Sequence, residues 1–278
     1  MSLHGINLKL VYKECLKSIN NLKNYSEQPK PLSIINSETA KNGYKEEELV
    51  CNDLKDKLIR ESFISILGNS YNDCNRTFGN SKCDIQSINQ ILKAQIKKFA
   101  KNRFQQLDRH KVQDLISAIP ELHKIQTILK GLCEIPLLPN GTHVDKKQDR
   151  KILSTNIYTQ ETLDNFLDLL NKNKKQILEY AFLGTNSEMQ PKYLFGSEYV
   201  NKKRVNLVLF KIDDIINYLE KLDFKISPRK TVILLGNDHT ISLQRKGGDK
   251  GKKSGNDIAF KIIVSNLIDK VPNLQHKL

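Results

Sequence analysis

Apolar and polar residues recur along this chain with two periods, near 3.6 and near 2, and the switches between them outline a mixed α/β protein. A short helical pattern in the first thirty residues (Leu8, Val11, Cys15, Leu16, Ile19) stops at Pro29-Lys30-Pro31. The spacing of Leu49, Leu54, Leu58 and Ile59 predicts a helix over Lys45 to Phe63, with Glu46, Glu47 and Glu48 suiting the positive end of its dipole. Gly68 to Asn80 is polar and reads as a loop. Lys82 to Ile88 and Ile91 to Phe99 follow as two strands close enough to form a hairpin.

Ala100 to Lys130 predicts a mostly helical stretch, striped by Leu107, Leu115, Ile116, Ile119, Leu122, Ile125 and Leu129, with Pro120 kinking or dividing it. Pro136 to Arg150 reads as a loop, and Glu161 to Tyr180 as a further helix. A strand at Val205 to Phe210 leads into a short helix at Ile212 to Leu222, and strands at Thr231 to Leu235, Thr240 to Leu243 and Ile258 to Val264 complete the pattern. Lys172 to Lys175 and Lys202-Lys203-Arg204 read most simply as solvated surface. No internal repeat or long low-complexity linker interrupts the chain.

Charge sharpens this outline. The chain has 278 residues, room for one large domain or two small ones, and 45 Lys plus Arg against 31 Asp plus Glu give a formal net charge of +14. The surplus is spread along the chain, which favours a polyanionic partner through release of condensed counterions, although an A+T-rich genome also enriches Lys. No run of about 18 apolar residues and no secretory leader at Met1 stand out, so a soluble, cytoplasmic protein is expected. Cys15, Cys51, Cys74, Cys83 and Cys133 are scattered without a Cys-x-x-Cys pair, and the histidines lack ligand spacing. Structural thiols in a reducing compartment are expected, and no zinc.

Two segments carry candidate chemistry. Between the strands at 240 and 258 runs Gln244-Arg245-Lys246-Gly247-Gly248-Asp249-Lys250-Gly251-Lys252-Lys253, five cations in nine residues from Arg245, interrupted by glycines. Gln, Arg and Lys suit base edges and phosphates, and glycines let a backbone come close to a partner, so the loop suits a DNA groove; a solvated basic turn is the plainer alternative. The second is the hairpin, where Asp84 is followed eleven residues later by Gln95-Ile96-Lys97. Alternation puts Gln95 and Lys97 on one face and turns Ile96 to the core, with Asp84 coming across from the neighbouring strand. A carboxylate, an amide oxygen, a main-chain carbonyl near Ile96 and a lysine are what Mg²⁺-dependent phosphodiester hydrolysis needs. Glu47 could add a second acid. Taken alone, an Asp followed by Gln-x-Lys arises easily in such a chain, with Asp84 as a turn residue and Gln95 and Lys97 as an exposed strand face.

The series in order is more specific. Ser37 to Lys45, Lys82-Cys83-Asp84-Ile85, Gln95-Ile96-Lys97, Arg103-Phe104-Gln105-Gln106-Leu107-Asp108 and Ile241 to Asp249 together resemble the type II restriction endonucleases of the HinP kind, which cut at GCGC. The resemblance runs with gaps from about Ser37 to Ile263. It implies an N-terminal extension over 1–36 and one restriction-endonuclease-like domain over 37–278, with the catalytic hairpin at 82–99 and a recognition segment at 240–264. The implied fold is PD-(D/E)xK, a central mixed β-sheet flanked by helices, with Mg²⁺-dependent cleavage of double-stranded DNA.

By position, the resemblance gives Asp84 to the metal, Gln95 to its shell in place of the usual second acid, and Lys97 to the attacking water, with Glu47 as a nearby helix glutamate. Gln244, Arg245 and Lys246, with Lys250 in the same basic loop, match the DNA-reading segment, and Gln105 and Gln106 match a polar segment approaching bases from the other side. The gap between Asp84 and Gln95 is shorter than in the relatives, which tightens the hairpin. A G·C-rich palindrome is implied, GCGC first and CGCG or CCGG as fallback, with a companion DNA methyltransferase and a possible homodimer. The competing classes are a non-catalytic DNA-binding protein, indifferent to metal and to Asp84, and a structure-selective repair nuclease on the same fold.

Overall fold

The computed structural model describes residues 38–68, 74–77, 82–133, 153–245 and 257–278. The helical pattern before residue 31, the loop at 136–150, Lys246 and Lys250 lie outside them. The described residues open with α1 (Glu38–Asp53) and α2 (Lys57–Leu67), where the hydrophobic spacing alone gives one helix. The division comes from Asp56, whose carboxylate accepts from the Leu58 and Ile59 N–H groups at 2.8 and 3.2 Å and so starts a new helix. Gly68, at φ 71°, ends it in a left-handed conformation that only glycine adopts readily.

The strands are β1 (Cys74–Arg76), β2 (Ile85–Ser87), β3 (Lys93–Phe99), β4 (Gln105–Lys111), β5 (Tyr193–Val200), β6 (Lys203–Lys211), β7 (Phe224–Ile226), β8 (Ile233–Leu235), β9 (Ile241–Arg245), β10 (Asp257–Ile262) and β11 (Asn273–Lys277). They form two sheets. A six-stranded sheet has the order β1-β2-β3-β5-β6-β11, and a five-stranded sheet the order β4-β10-β9-β8-β7. In the larger sheet β3 and β5 run parallel and the other pairs antiparallel, so it is the mixed sheet expected.

The expected helix from Ala100 is corrected over its first part: Gln105–Lys111 is a strand, paired antiparallel with β10 from Lys111↔Asp257 to Gln105↔Ile262. Leu107 fits the helical stripe, but the ladder that claims it comes from about 150 residues further on, and a local period cannot register such pairing. Helices resume as α3 (Val112–Ala118), a 3₁₀ turn opened by Pro120, and α4 (Gln126–Cys133), so Pro120 does divide the segment. The second long helix is also two, α5 (Gln160–Lys172) and α6 (Lys174–Leu183), hinged at Asn173. α7 (Ile212–Leu219) follows β6 directly. β1, β5, β7 and β11 were not anticipated.

α1 and α2 cover one face of the larger sheet: Val50, Cys51, Leu54 and Phe63 pack on Ile85, Ala94, Ile96, Phe195 and Leu209. Its other face joins the smaller sheet in a second core, with Phe99, Leu194 and Phe210 from one and Leu107, Leu243, Ile258 and Phe260 from the other. Gly196, opposite Lys97 in the ladder, admits this contact: a Cβ there would stand 2.8 Å from the Phe99 ring. β3 therefore lies in the centre of the molecule with a different environment on each side. No helix among the described residues is long and apolar enough to cross a membrane.

Candidate active site

The hairpin of β2 and β3 brings Asp84 to the middle of β3. Its backbone N–H donates to the Ala94 carbonyl at 2.8 Å, and its Oδ2 accepts from the Ile96 N–H at 2.8 Å. The carboxylate is thus pinned beside the peptide that follows Gln95. Ala94 and Ile96 are buried under α1, and alternation sends Gln95 and Lys97 to the opposite face. Gln95 is 3% exposed; its Nε2 donates to the Leu107 carbonyl of β4 at 3.4 Å, while its Oε1 is buried without a hydrogen-bond partner. A buried amide oxygen left in this state costs about 1–3 kcal/mol, which a bound cation would recover. The donor set is all oxygen, from a carboxylate, an amide and the nearby main chain, and so suits a hard ion such as Mg²⁺ better than a soft one. No group of three or more His, Cys, Asp or Glu able to hold a metal occurs among the described residues.

A second cluster adjoins this face, and the sequence reading passed over it. Lys82 is nearly buried and donates from Nζ to Asp108 Oδ2 at 2.7 Å; the Leu107 carbonyl that receives Gln95 lies 3.5 Å from the same Nζ. Asp108 is also hydrogen-bonded to His110 Nε2, and the His110 ring leans on Tyr180 with centroids 4.5 Å apart. Burial pushes the Lys82 ammonium down to about 8 against the pull of Asp108, with Lys97 adding to the depression and Asp84 opposing it. Burial would raise the Asp108 carboxyl, but the His110 bond and the Lys82 charge hold it below its ordinary range. Lys82 and Asp108 both stand inside the quoted motif segments; nothing local showed that they meet.

Glu47 faces Arg76 of β1, with Oε2 accepting from Nε at 2.8 Å. Its neighbour Glu46 is buried on the α1 side of the sheet, accepting from the Tyr199 hydroxyl at 2.7 Å with Arg204 Nε 3.3 Å away. Arg204 also bonds Asp53. The reading of Arg204 as solvated surface is therefore corrected. So is that of Lys174, which is 12% exposed and bonds the Leu222 carbonyl and Asp223.

The candidate DNA-reading residues sit on the smaller sheet. Gln106 is exposed and Gln105 half-buried at the start of β4, opposite Lys261 and Ile262 of β10. Gln244 and Arg245, both half-buried, end β9 opposite Ala259 and Ile258 of the same strand. The two groups therefore flank β10 from either side. Asp257, where β10 begins, pairs with Lys111 at 2.6 Å and with Arg109 at 3.6 Å. Cys51 and Cys74 lie with their Sγ atoms 3.4 Å apart, and Cys51, Cys74, Cys83 and Cys133 are all buried free thiols.

A mixed sheet whose central hairpin presents Asp84 with Gln95-x-Lys97 on one face has the features of a type II site-specific nuclease with a restriction-endonuclease-like fold. The family model of the R.HinP1I restriction endonuclease matches residues 72–268, more than half of the chain, and the chain belongs to that family. No curated protein sequence matches it. Among solved structures, the restriction endonuclease MspI in complex with its cognate DNA is similar at 13% identity and a TM-score of 0.47, over 89% of this chain and 98% of that one. A likeness of that degree says nothing of the site.

Proposed function

We propose that this endonuclease cuts both strands of DNA at a short G·C-rich palindrome, GCGC in the first instance and CGCG or CCGG as alternatives, using Mg²⁺ held by Asp84, Gln95 and the Ile96 carbonyl. The observation that carries the reading is the buried, unpartnered Oε1 of Gln95, one residue from the N–H that pins Asp84. When bound, Mg²⁺ supplies polarisation of the scissile phosphate and acidification of water. Lys97 orients the attacking water and offsets the charge that develops on the phosphate oxygens. The water oxygen bonds phosphorus, the bond to the 3′ oxygen breaks, and the products carry a 5′-phosphate and a 3′-hydroxyl. Glu47 pairs with Arg76 on β1, the strand beside β2 of the hairpin.

Gln105 and Gln106 on one side of β10, and Gln244 and Arg245 on the other, contact the DNA together with Lys246 and Lys250 of the basic loop. The +14 net charge supports a salt-dependent grip on phosphates. An Arg or Lys on guanine O6 and N7 discriminates by about 1–3 kcal/mol, which favours a G·C-rich site. A homodimer would match the symmetry of a palindrome, and a methyltransferase of the same specificity would protect the host.

Digestion of unmethylated phage DNA by the purified protein, with Mg²⁺ or with EDTA, followed by sequencing of the fragment ends, tests the proposal. Discrete fragments in Mg²⁺ alone, ending within one palindrome, are expected. A featureless smear would remove the sequence-reading assignment, and DNA left intact but shifted on a gel in both conditions would remove the catalytic one.

A further inference from the structure

The amide of Gln95 has two ends, and only its oxygen can hold a cation. Its nitrogen is held by the Leu107 carbonyl at 3.4 Å, yet the same carbonyl lies 3.5 Å from the Lys82 ammonium. A nearly buried ammonium and the Gln95 amide, whose oxygen is buried and unpartnered, thus share one acceptor. A bond from that ammonium to the oxygen would occupy the metal ligand and add a positive charge to the cation's surroundings. Lys82 is instead drawn 2.7 Å from Asp108, and Asp108 is anchored from behind by His110, whose ring rests on Tyr180. The Lys82 stem runs beside Gly184, where a Cβ would meet its Cβ, Cγ and Cδ at 3.8–3.9 Å.

We propose that Asp108 is a positioning residue of the site, holding the Lys82 ammonium away from Gln95 so that the Gln95 amide oxygen stays available to the metal. This rests on the reading of Gln95 as a metal ligand. Asp108 follows Gln105 and Gln106 by two residues or more on the same strand, so the group that keeps the ligand open moves with the strand assigned to DNA reading.

The test is a calorimetric titration of Ca²⁺, a hard cation for the same oxygen ligands, into complexes of the full-length protein with a palindromic duplex. It compares wild type, Gln95→Ala, Asp108→Asn and the double variant Lys82→Met/Asp108→Asn, with thermal unfolding of each as a check on folding. Asp108→Asn should weaken Ca²⁺ binding by about 10-fold or more, the usual scale for a residue behind a ligand. The double variant, which lacks the competing ammonium, should recover to within about 3-fold of wild type, which a merely structural role for Asp108 does not give. If Asp108→Asn does not fold, the double variant carries the test alone, and a loss equal to that of Gln95→Ala would overturn the proposal. Wild-type affinity in Asp108→Asn, with Gln95→Ala weakened, would also overturn it while leaving the site standing. Wild-type affinity in Gln95→Ala would remove the metal ligand itself and the proposal with it.

Discussion

The two faces of β3 are built from one heptapeptide and do opposite things. On the α1 side Ala94 and Ile96 vanish into an apolar core, and at its end Lys98 lies over the Tyr199 ring, 3.6 Å from its centroid. Tyr199 donates to Glu46, Glu46 faces Arg204, and Arg204 bonds Asp53. Glu46 Oε1 has no hydrogen bond there, but a guanidinium nitrogen 3.3 Å away matches its charge. On the other side Gln95 Oε1 is equally buried and has no partner of either kind among the described residues. Polar burial as such therefore does not mark a site. What distinguishes the face of the candidate site is polarity that the chain leaves incomplete beside the pinned carboxylate of Asp84.

Substitutions on the two faces should separate activity from stability. Asp84→Ala or Lys97→Ala has the largest expected effect: single-turnover cleavage falls by roughly 100- to 10,000-fold, while binding of the palindromic duplex, followed by fluorescence anisotropy in EDTA, is retained. Cutting at the wild-type rate by either variant would dissolve the contrast. Arg204→Met on the opposite face should do the reverse. It leaves Glu46 and Asp53 uncompensated and costs about 3–5 kcal/mol in urea unfolding, while the protein that remains folded cuts at the wild-type rate.

Asp108 adds a pH dependence. Its carboxyl is held below its ordinary range, so the stabilisation is fully present above the unfolded value of about 3.9 and is lost as pH falls through the lower folded value. Asp108→Asn should cost about 1.5–3 kcal/mol near neutral pH, and its difference from wild type should shrink on acidification below pH 4, as followed by denaturant unfolding across that range. A pH-independent difference would show that the Lys82 and His110 contacts do not set the titration. Glu47→Gln should have the smallest effect. Its pairing with Arg76 predicts a loss of about 1 kcal/mol and a cleavage rate within about 3-fold of wild type. A 100-fold loss of rate would instead bring Glu47 into the site, as the family resemblance implied.

The hairpin that carries the candidate site was more legible in the sequence than the frame around it. The placing of Asp84, Gln95 and Lys97 on it was legible because a hairpin is local, and its alternation correctly separated Ile96 from its neighbours. β6, α7, β8, β9 and β10 were legible for the same reason. β4 was not, since Leu107 continues a helical stripe and only pairing with distant β10 makes it a strand. Arg204 passed for surface within Lys202-Lys203-Arg204 because its partners Glu46 and Asp53 lie about 150 residues away. Lys82, Asp108 and His110 were visible as residues but not as a cluster. Their meeting depends on β4 of the smaller sheet lying beside the segment that leads into β2 of the larger one, and no period in the chain encodes that.

The central claim is that the Gln95 oxygen holds the metal, and the most direct measurement is the Mg²⁺ dependence of single-turnover cleavage by wild type and Gln95→Ala on one palindromic duplex. The account predicts that the Mg²⁺ concentration for half-maximal rate rises at least about 10-fold in Gln95→Ala, with duplex binding in EDTA unchanged. An unaltered Mg²⁺ dependence would contradict it, and the buried oxygen of Gln95 would then be a structural cost without a catalytic return.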